Sequence, residues 1–151
     1  MSPPRLLLIE DDPLDVEVLR EALHAVASGV ELDHAGDAAS ALLVLARRGR
    51  HEATPTPDLI LLDLKLPGLD GEEILRLLKA SEWSAVPVVA LTCVRDRVAH
   101  QRCLSQGAVA CCIKPDDYDG YLALARELVD GMADPLALGE RLGRLANPPR
   151  R

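Results

Sequence analysis

Apolar residues along this chain come in short unbroken runs, and four of these runs stop on a polar residue. Leu6-Leu7-Leu8-Ile9 leads into Glu10 and Asp11, Leu59-Ile60-Leu61-Leu62 into Asp63, Val88-Val89-Ala90-Leu91 into Thr92, and Cys111-Cys112-Ile113 into Lys114. Runs this short, with no apolar–polar alternation, suit strands covered on both faces, as in a parallel sheet. Between them the apolar spacing changes to three and four residues, the period of one helical face.

Read in order, the pattern is strand then helix, five times over. The first strand is predicted over Arg5 to Glu10, followed by a helix that Asp12 caps and Pro13 opens, with Leu19, Ala22, Leu23 and Val26 on one face. Gly29 ends it, and Val30 to Ala35 alternates like a half-exposed edge strand. Asp37 caps a second helix with Leu42, Leu45 and Ala46 turned inward, and Gly49 to Pro57 reads as a polar loop. Asp58 to Asp63 is the most apolar strand. Asp70 and Glu73 have capping-box spacing at the start of a third helix whose stripe is Ile74, Leu77 and Leu78. A fourth strand is predicted over Val86 to Leu91 and a thin-faced helix over Asp96 to Gln106 (Val98, Ala99, Cys103). The fifth strand follows over Val109 to Ile113, and a fifth helix over about Asp119 to Met132 buries Tyr121, Leu124, Ala125 and Leu128.

Alternation of this kind predicts a doubly wound α/β domain. Beyond Met132 comes an extra segment bounded by Asp134-Pro135 and Asn147-Pro148-Pro149. Its Leu138, Leu142 and Leu145 share one helical face, while Gly139 and Gly143 each weaken the helix by about 1 kcal/mol relative to Ala. Such a helix needs a partner surface, on its own domain or on a second copy.

In a parallel sheet the C-terminal ends of all strands open on one edge, where ligand sites form. The fold therefore gathers Glu10, Asp11, Asp63, Thr92 and Lys114 at one place. Close carboxylates repel unless one protonates or a cation intervenes. Mg²⁺ suits such a set, since it takes oxygen ligands and is often completed by substrate phosphate. Asp63 is the natural nucleophile, able to attack a phosphoryl donor and give an acyl phosphate. Thr92 offers a hydroxyl to a phosphoryl oxygen. Lys114, fixed in direction by Pro115, can pair with a carboxylate at rest and with a phosphoryl oxygen afterwards.

Composition narrows the field. The 151 residues make one domain, 48% of them apolar, and the formal charge of −7 argues against a nucleic-acid surface. No apolar run approaches membrane-spanning length, and the leading apolar run is too short for a signal peptide, so a cytoplasmic protein is expected. Cys93, Cys103, Cys111 and Cys112 show no paired spacing and read as reduced thiols, mostly buried. With no Phe and one Trp, the chain offers little for stacking a flavin or a base.

The stretch Asp63-Leu64-Lys65-Leu66-Pro67-Gly68-Leu69-Asp70-Gly71 resembles the phosphoacceptor loop of the response-regulator receiver domain, and Glu10-Asp11, Thr92 and Lys114-Pro115 fall at that family's other signature places. The resemblance covers about Arg5 to Met132. It implies a flavodoxin-like sheet of order 2-1-3-4-5, with the receiver over residues 1–133 and an extension over 134–151 made of a short helix and a disordered tail. It also implies Mg²⁺-dependent phosphorylation of Asp63 by a histidine kinase and self-catalysed hydrolysis, with no wider enzyme activity. By carry-over, Asp11, Asp63 and the backbone carbonyl of Lys65 bind Mg²⁺ and Glu10 acts through water; Asp12 is only the helix cap. The opening Glu-Asp-Asp-Pro-Leu-Asp and the Leu-Asp-Leu-Lys-Leu-Pro loop are similar to stand-alone regulators that partner bacterial phytochrome kinases. Many of those form homodimers through the fourth helix, fifth strand and fifth helix, and the C-terminal arm is expected to contribute here.

Three positions depart from the receiver pattern. Cys111 stands where the fifth strand usually carries an aromatic, Lys65 adds an ammonium at the site mouth and is expected to alter acyl-phosphate lifetime, and Leu64 leaves no tryptophan beside Asp63 to report Mg²⁺. Other functions fit less well. A haloacid-dehalogenase-type phosphatase needs a general acid two residues after its nucleophile, where this chain has Lys65. A dinucleotide site needs glycines where Glu10-Asp11-Asp12 stand. A His-bearing phosphotransfer protein is a helical bundle, whereas His24, His34, His51 and His100 fall on different elements. A receiver-shaped interaction module that works without phosphorylation stays open.

Overall fold

A computed structural model of the chain describes residues 3–47, 53, 55–66, 68, 70–93 and 95–146. Five strands, β1 (Arg5–Ile9), β2 (Glu31–Ala35), β3 (Leu59–Asp63), β4 (Val88–Thr92) and β5 (Ala110–Ile113), alternate with α1 (Pro13–Val26), α2 (Ala38–Leu45), α3 (Gly71–Lys79), α4 (Arg97–Ser105) and α5 (Tyr118–Ala133), and α6 (Pro135–Ala146) follows. All strand pairs are parallel, in the order β2-β1-β3-β4-β5. This is the doubly wound sheet that the alternation predicts, in the flavodoxin-like order that the resemblance implies.

Side chains alternate across each strand, so every apolar run feeds two cores at once. Leu6, Leu8, Leu59, Leu61, Val89, Leu91, Ala110 and Cys112 face the helices α1, α5 and α6. Leu7, Ile9, Ile60, Leu62, Val88, Ala90 and Cys111 face α2, α3 and α4. Cys111 and Cys112 thus lie on opposite faces; Cys103, Cys111 and Cys112 are buried, Cys93 is exposed, and all four are free thiols. Cys103 of α4 and Cys111 of β5 belong to the same core cluster.

An aspartate caps each of α1 to α5. Side chains of Asp12, Asp37, Asp70, Asp96 and Asp117 accept from backbone N–H groups of Leu14, Ser40, Glu73, Val98 and Gly120, at 2.7–3.0 Å. The cap at Asp117 starts α5 earlier than the apolar period predicts.

Three helical faces differ from expectation. In α2 the buried residues are Ala41, Val44 and Leu45, while Leu42 and Ala46 are exposed. The segment is apolar all round, so its periodicity does not select a phase, and the face with the small Ala41 packs closest. In α3, Leu75 is buried and Leu77 is not. Leu77 and Leu42 instead line one shallow apolar groove between α2 and α3 with Trp83, which lies just past α3. In α4, Cys103 is the buried residue and Val98 is exposed, because five residues of helix turn Val98 about 140° away from Cys103.

The arm packs on its own chain. Leu138 and Leu142 of α6 are fully buried among α5 and the first core cluster, each contributing roughly 2 kcal/mol. Gly139, a weak helix former, makes this possible: a Cβ there would stand 2.6 Å from the Val109 carbonyl oxygen. Through that close approach α6 lies against β5, an edge strand that would otherwise offer unpaired backbone groups. Leu145's side chain, residues 147–151, and Gly49 to Glu52 and Thr54 of the expected loop lie outside the described residues.

Candidate functional site

Backbone hydrogen bonds carry the sheet one residue past its strand ends and so set the site. Glu10 N–H donates to the Ala35 carbonyl (3.0 Å), Leu64 N–H to Leu91 (2.9 Å) and Lys114 N–H to Thr92 (2.8 Å). Since Ile9 pairs with Leu62, the next residues, Glu10 and Asp63, come side by side. Both side chains point to the α1/α5 side of the sheet and both residues are buried, at 1% and 2% exposure. Asp11 lies one residue on and is exposed. Carboxylate oxygens of Glu10, Asp11 and Asp63 fall within 4.8 Å of one another, a set fit for a divalent cation.

Lys114 closes this cluster. Its Nζ lies 3.0 Å from Glu10 Oε2, 3.2 Å from Asp63 Oδ2 and 2.7 Å from Asp15 Oδ2, with its side chain 13% exposed. Burial pulls the ammonium toward neutrality, but hydrogen bonds to Asp15 and Glu10 and the charge of Asp63 outweigh it and hold the group above its usual value. Glu10 responds in the opposite sense. Burial first, then a hydrogen bond with Asp63, pushes its carboxyl up to about 7, against the lowering pull of Lys114 and the Asp12 N–H. A carboxyl forced that far toward protonation next to another carboxylate marks a place short of positive charge.

Asp63 has its second oxygen engaged as well: Oδ1 accepts from the Lys65 N–H at 2.9 Å. The loop after Asp63 is held from behind by Gly71. Its N–H donates to the Leu64 carbonyl at 3.1 Å. A Cβ at Gly71 would overlap Leu64 Cα and come within 2.8 Å of the Asp63 carbonyl oxygen. Pro67 and Leu69 of this loop lie outside the described residues. The Lys65 side chain is exposed and lines the open cavity of about 560 Å³ above the acids, with Asp12, Asp15, Leu66 and Cys93 also in its wall. Thr92 ends β4 beside it, buried at 7% exposure and lining the neighbouring hollow toward α4 with Leu64 and Cys93. The structure thus brings together Glu10, Asp11, Asp63 and Lys114, sets Thr92 at their flank, and leaves Asp12 as the α1 cap.

Two members of the cluster escape the strand-end reading. Asp15 lies in the first turn of α1 and pairs with Lys114. Its Oδ1 accepts from the Tyr121 hydroxyl of α5 at 3.2 Å. Burial and the Asp15 charge hold the Tyr121 phenol above its usual value, so it remains a donor. The available signal was that Asp15 stands in the first turn of the helix that Asp12 caps, and so opens beside the same sheet edge as the strand-end acids.

A family profile described as the response regulator receiver domain matches residues 6–125. The response regulator Rcp1 of Synechocystis is 39% identical over 93 residues, which cover 60% of this chain and 63% of Rcp1, so the match spans just under two thirds of that relative. A crystal structure of the Mn²⁺-bound form of Rcp1 superposes with a TM-score of 0.73 at 28% identity, over 83% of this chain and 91% of the other. Response regulator RPA3017, in red light signaling of R. palustris, superposes with a TM-score of 0.77 at 28% identity, over 85% and 92%.

Proposed function

Since the chain belongs to the response regulator receiver family, we propose that it accepts a phosphoryl group on Asp63 from a sensor histidine kinase. The carrying observation is the Lys114 ammonium, held 3.2 Å from Asp63 inside a buried carboxylate cluster at the sheet's C-terminal edge. In the proposed step an Asp63 oxygen forms the new bond to phosphorus as the phosphohistidine N–P bond breaks. Lys114 and the Thr92 hydroxyl then pair with the transferred oxygens. A Mg²⁺ ion on Asp11, Asp63 and the Lys65 carbonyl, with Glu10 through water, would neutralise charge on the phosphoryl oxygens. That a similar regulator, Rcp1, has a Mn²⁺-bound form supports the binding of a divalent cation.

Likeness to a regulator in red light signaling supports a light-sensing, phytochrome-type kinase as the partner. We place the protein in the cytoplasm; among the described residues no helix is long and apolar enough to cross a membrane. Since α6 covers β5 and α5 of its own chain, the proposed contact for a second copy is the α4 side of that face together with the outer side of the α6 arm, and light scattering of chains with and without residues 134–151 tests it.

Intact-mass analysis after incubation with phosphoramidate, with and without Mg²⁺, tests the acceptor. One Mg²⁺-dependent phosphoryl adduct is expected, absent from Asp63→Asn. A folded wild-type chain that takes up no phosphoryl group from this donor or from a phosphorylated kinase would favour the second reading, a receiver-shaped interaction module. The packing of Cys111 on Cys103, in place of a switch aromatic, gives that reading its support.

A further inference from the structure

Lys114 makes its shortest contact away from the proposed acceptor. Its Nζ lies 2.7 Å from Asp15, against 3.0 Å to Glu10 and 3.2 Å to Asp63. Asp15 comes from a helix rather than a strand end, and it is outside the group of carboxylates close enough to share a cation. Its second oxygen is engaged by Tyr121, itself buried in the contact between α1 and α5. The result is a chain of polar contacts from Tyr121 through Asp15 to Lys114 and on to Asp63, crossing from α5 to the end of β3.

We propose that Asp15 is a positioning residue that competes with the acceptor site for the Lys114 ammonium, and that Tyr121 sets the strength of this competition by donating to the same carboxylate. The proposal rests on the reading of Asp63 as phosphoacceptor. A phosphoryl group arriving at Asp63 draws Lys114 toward its oxygens, so the hold of Asp15 on that ammonium opposes the reaction. Removing the Asp15 charge frees the lysine and also takes one negative charge away from the path of an anionic donor. Removing the Tyr121 hydroxyl does the reverse. It leaves the Asp15 charge less spread, and a carboxylate with fewer donors holds its remaining cation harder.

Opposite signs from two nearly isosteric substitutions are the signature, since a merely structural role would impair the site in both. The experiment is the initial rate of Asp63 phosphorylation by phosphoramidate at fixed Mg²⁺, followed by intact mass in the full chain. Asp15→Asn should raise the rate on the order of threefold to tenfold, the scale of one screened charge at this distance. Tyr121→Phe should lower it about twofold to threefold, a fraction of one neutral hydrogen bond. The double variant should match Asp15→Asn, because Tyr121 acts only through that carboxylate. Rates that fall in both single variants, stay at the wild-type value, or add in the double variant overturn the positioning role while leaving the acceptor reading intact. A wild-type chain that takes up no phosphoryl group overturns the acceptor reading and this role with it.

Discussion

Replacing Lys114 by Met removes the ammonium that three carboxylates share at 2.7, 3.0 and 3.2 Å, and leaves an apolar chain of similar volume. The side chains of Glu10 and Asp63 are 2% and 3% exposed, so neither charge regains water. Breaking a buried pair from one side costs about 3–5 kcal/mol, because the remaining charge is uncompensated. Uptake of a proton offsets part of this. Burial and the neighbouring Asp63 already push the Glu10 carboxyl up to about 7 with the lysine in place, and losing Lys114 takes away one of the influences that lower it. A carboxyl raised above its ordinary 4.5 binds its proton more tightly in the folded chain. Its stabilising contribution is full below that value and is lost as the pH climbs through the folded one. The metal-free variant should therefore lose less stability at pH 5 than at pH 8, where the loss reaches about 2–4 kcal/mol, roughly 4–16 °C for a chain of this size.

A divalent cation should reverse that loss, since it supplies the missing charge and binds only the folded cluster. Thermal melts at pH 5, 6.5 and 8, with and without about 10 mM Mg²⁺, read both effects. The variant should gain more from Mg²⁺ than wild type does, because no ammonium competes for Glu10 and Asp63. A melting loss equal at pH 5 and pH 8, or a Mg²⁺ response no larger than that of wild type, would refute the coupling of these carboxylates through Lys114.

Two further substitutions probe the backbone that presents the site. Gly71→Ala puts a methyl group into Leu64 and the Asp63 carbonyl, so α3 or the acceptor loop must shift; a loss of about 1–3 kcal/mol in urea unfolding and slower phosphorylation are expected, and a stability equal to wild type would count against the close approach. Gly139→Val crowds the Val109 carbonyl and should unseat α6 from β5, which limited proteolysis would register as first cleavage within residues 134–146 while the rest of the chain survives.

The sheet and the strand-end chemistry were legible because both follow from the backbone. An apolar run in a parallel sheet has one direction and a fixed register, so the residue that ends it has a fixed place: Asp63 next to Glu10, and Lys114 across Thr92. Helical faces were legible only where polar residues marked the other side. The stretch Ala38–Leu45 has no polar residue beyond Ser40, so Leu42 and Val44 were equally good inward candidates until neighbouring bulk decided between them. Gly139 read as a weakness of its helix, yet a helix propensity is measured without a neighbour, and here the missing Cβ is what admits the Val109 carbonyl.

Asp15 was hidden for a different reason. Its partner Tyr121 is 106 residues away, and both sit on helices whose apolar period says only which side is buried, never which polar residue at the rim meets which. Strand ends alone leave Lys114 facing Glu10 and Asp63, two carboxylates that a cation would also claim. With Asp15 added, the ammonium has a third and nearer partner that no cation needs, and that partner belongs to the α1–α5 contact. The charge at the end of β5 is therefore tied to a helix pair on one side of the sheet as firmly as to the acceptor. Any event that moves Lys114 toward Asp63 must change what Asp15 and Tyr121 hold, and Tyr121 belongs to α5, the helix on which α6 packs.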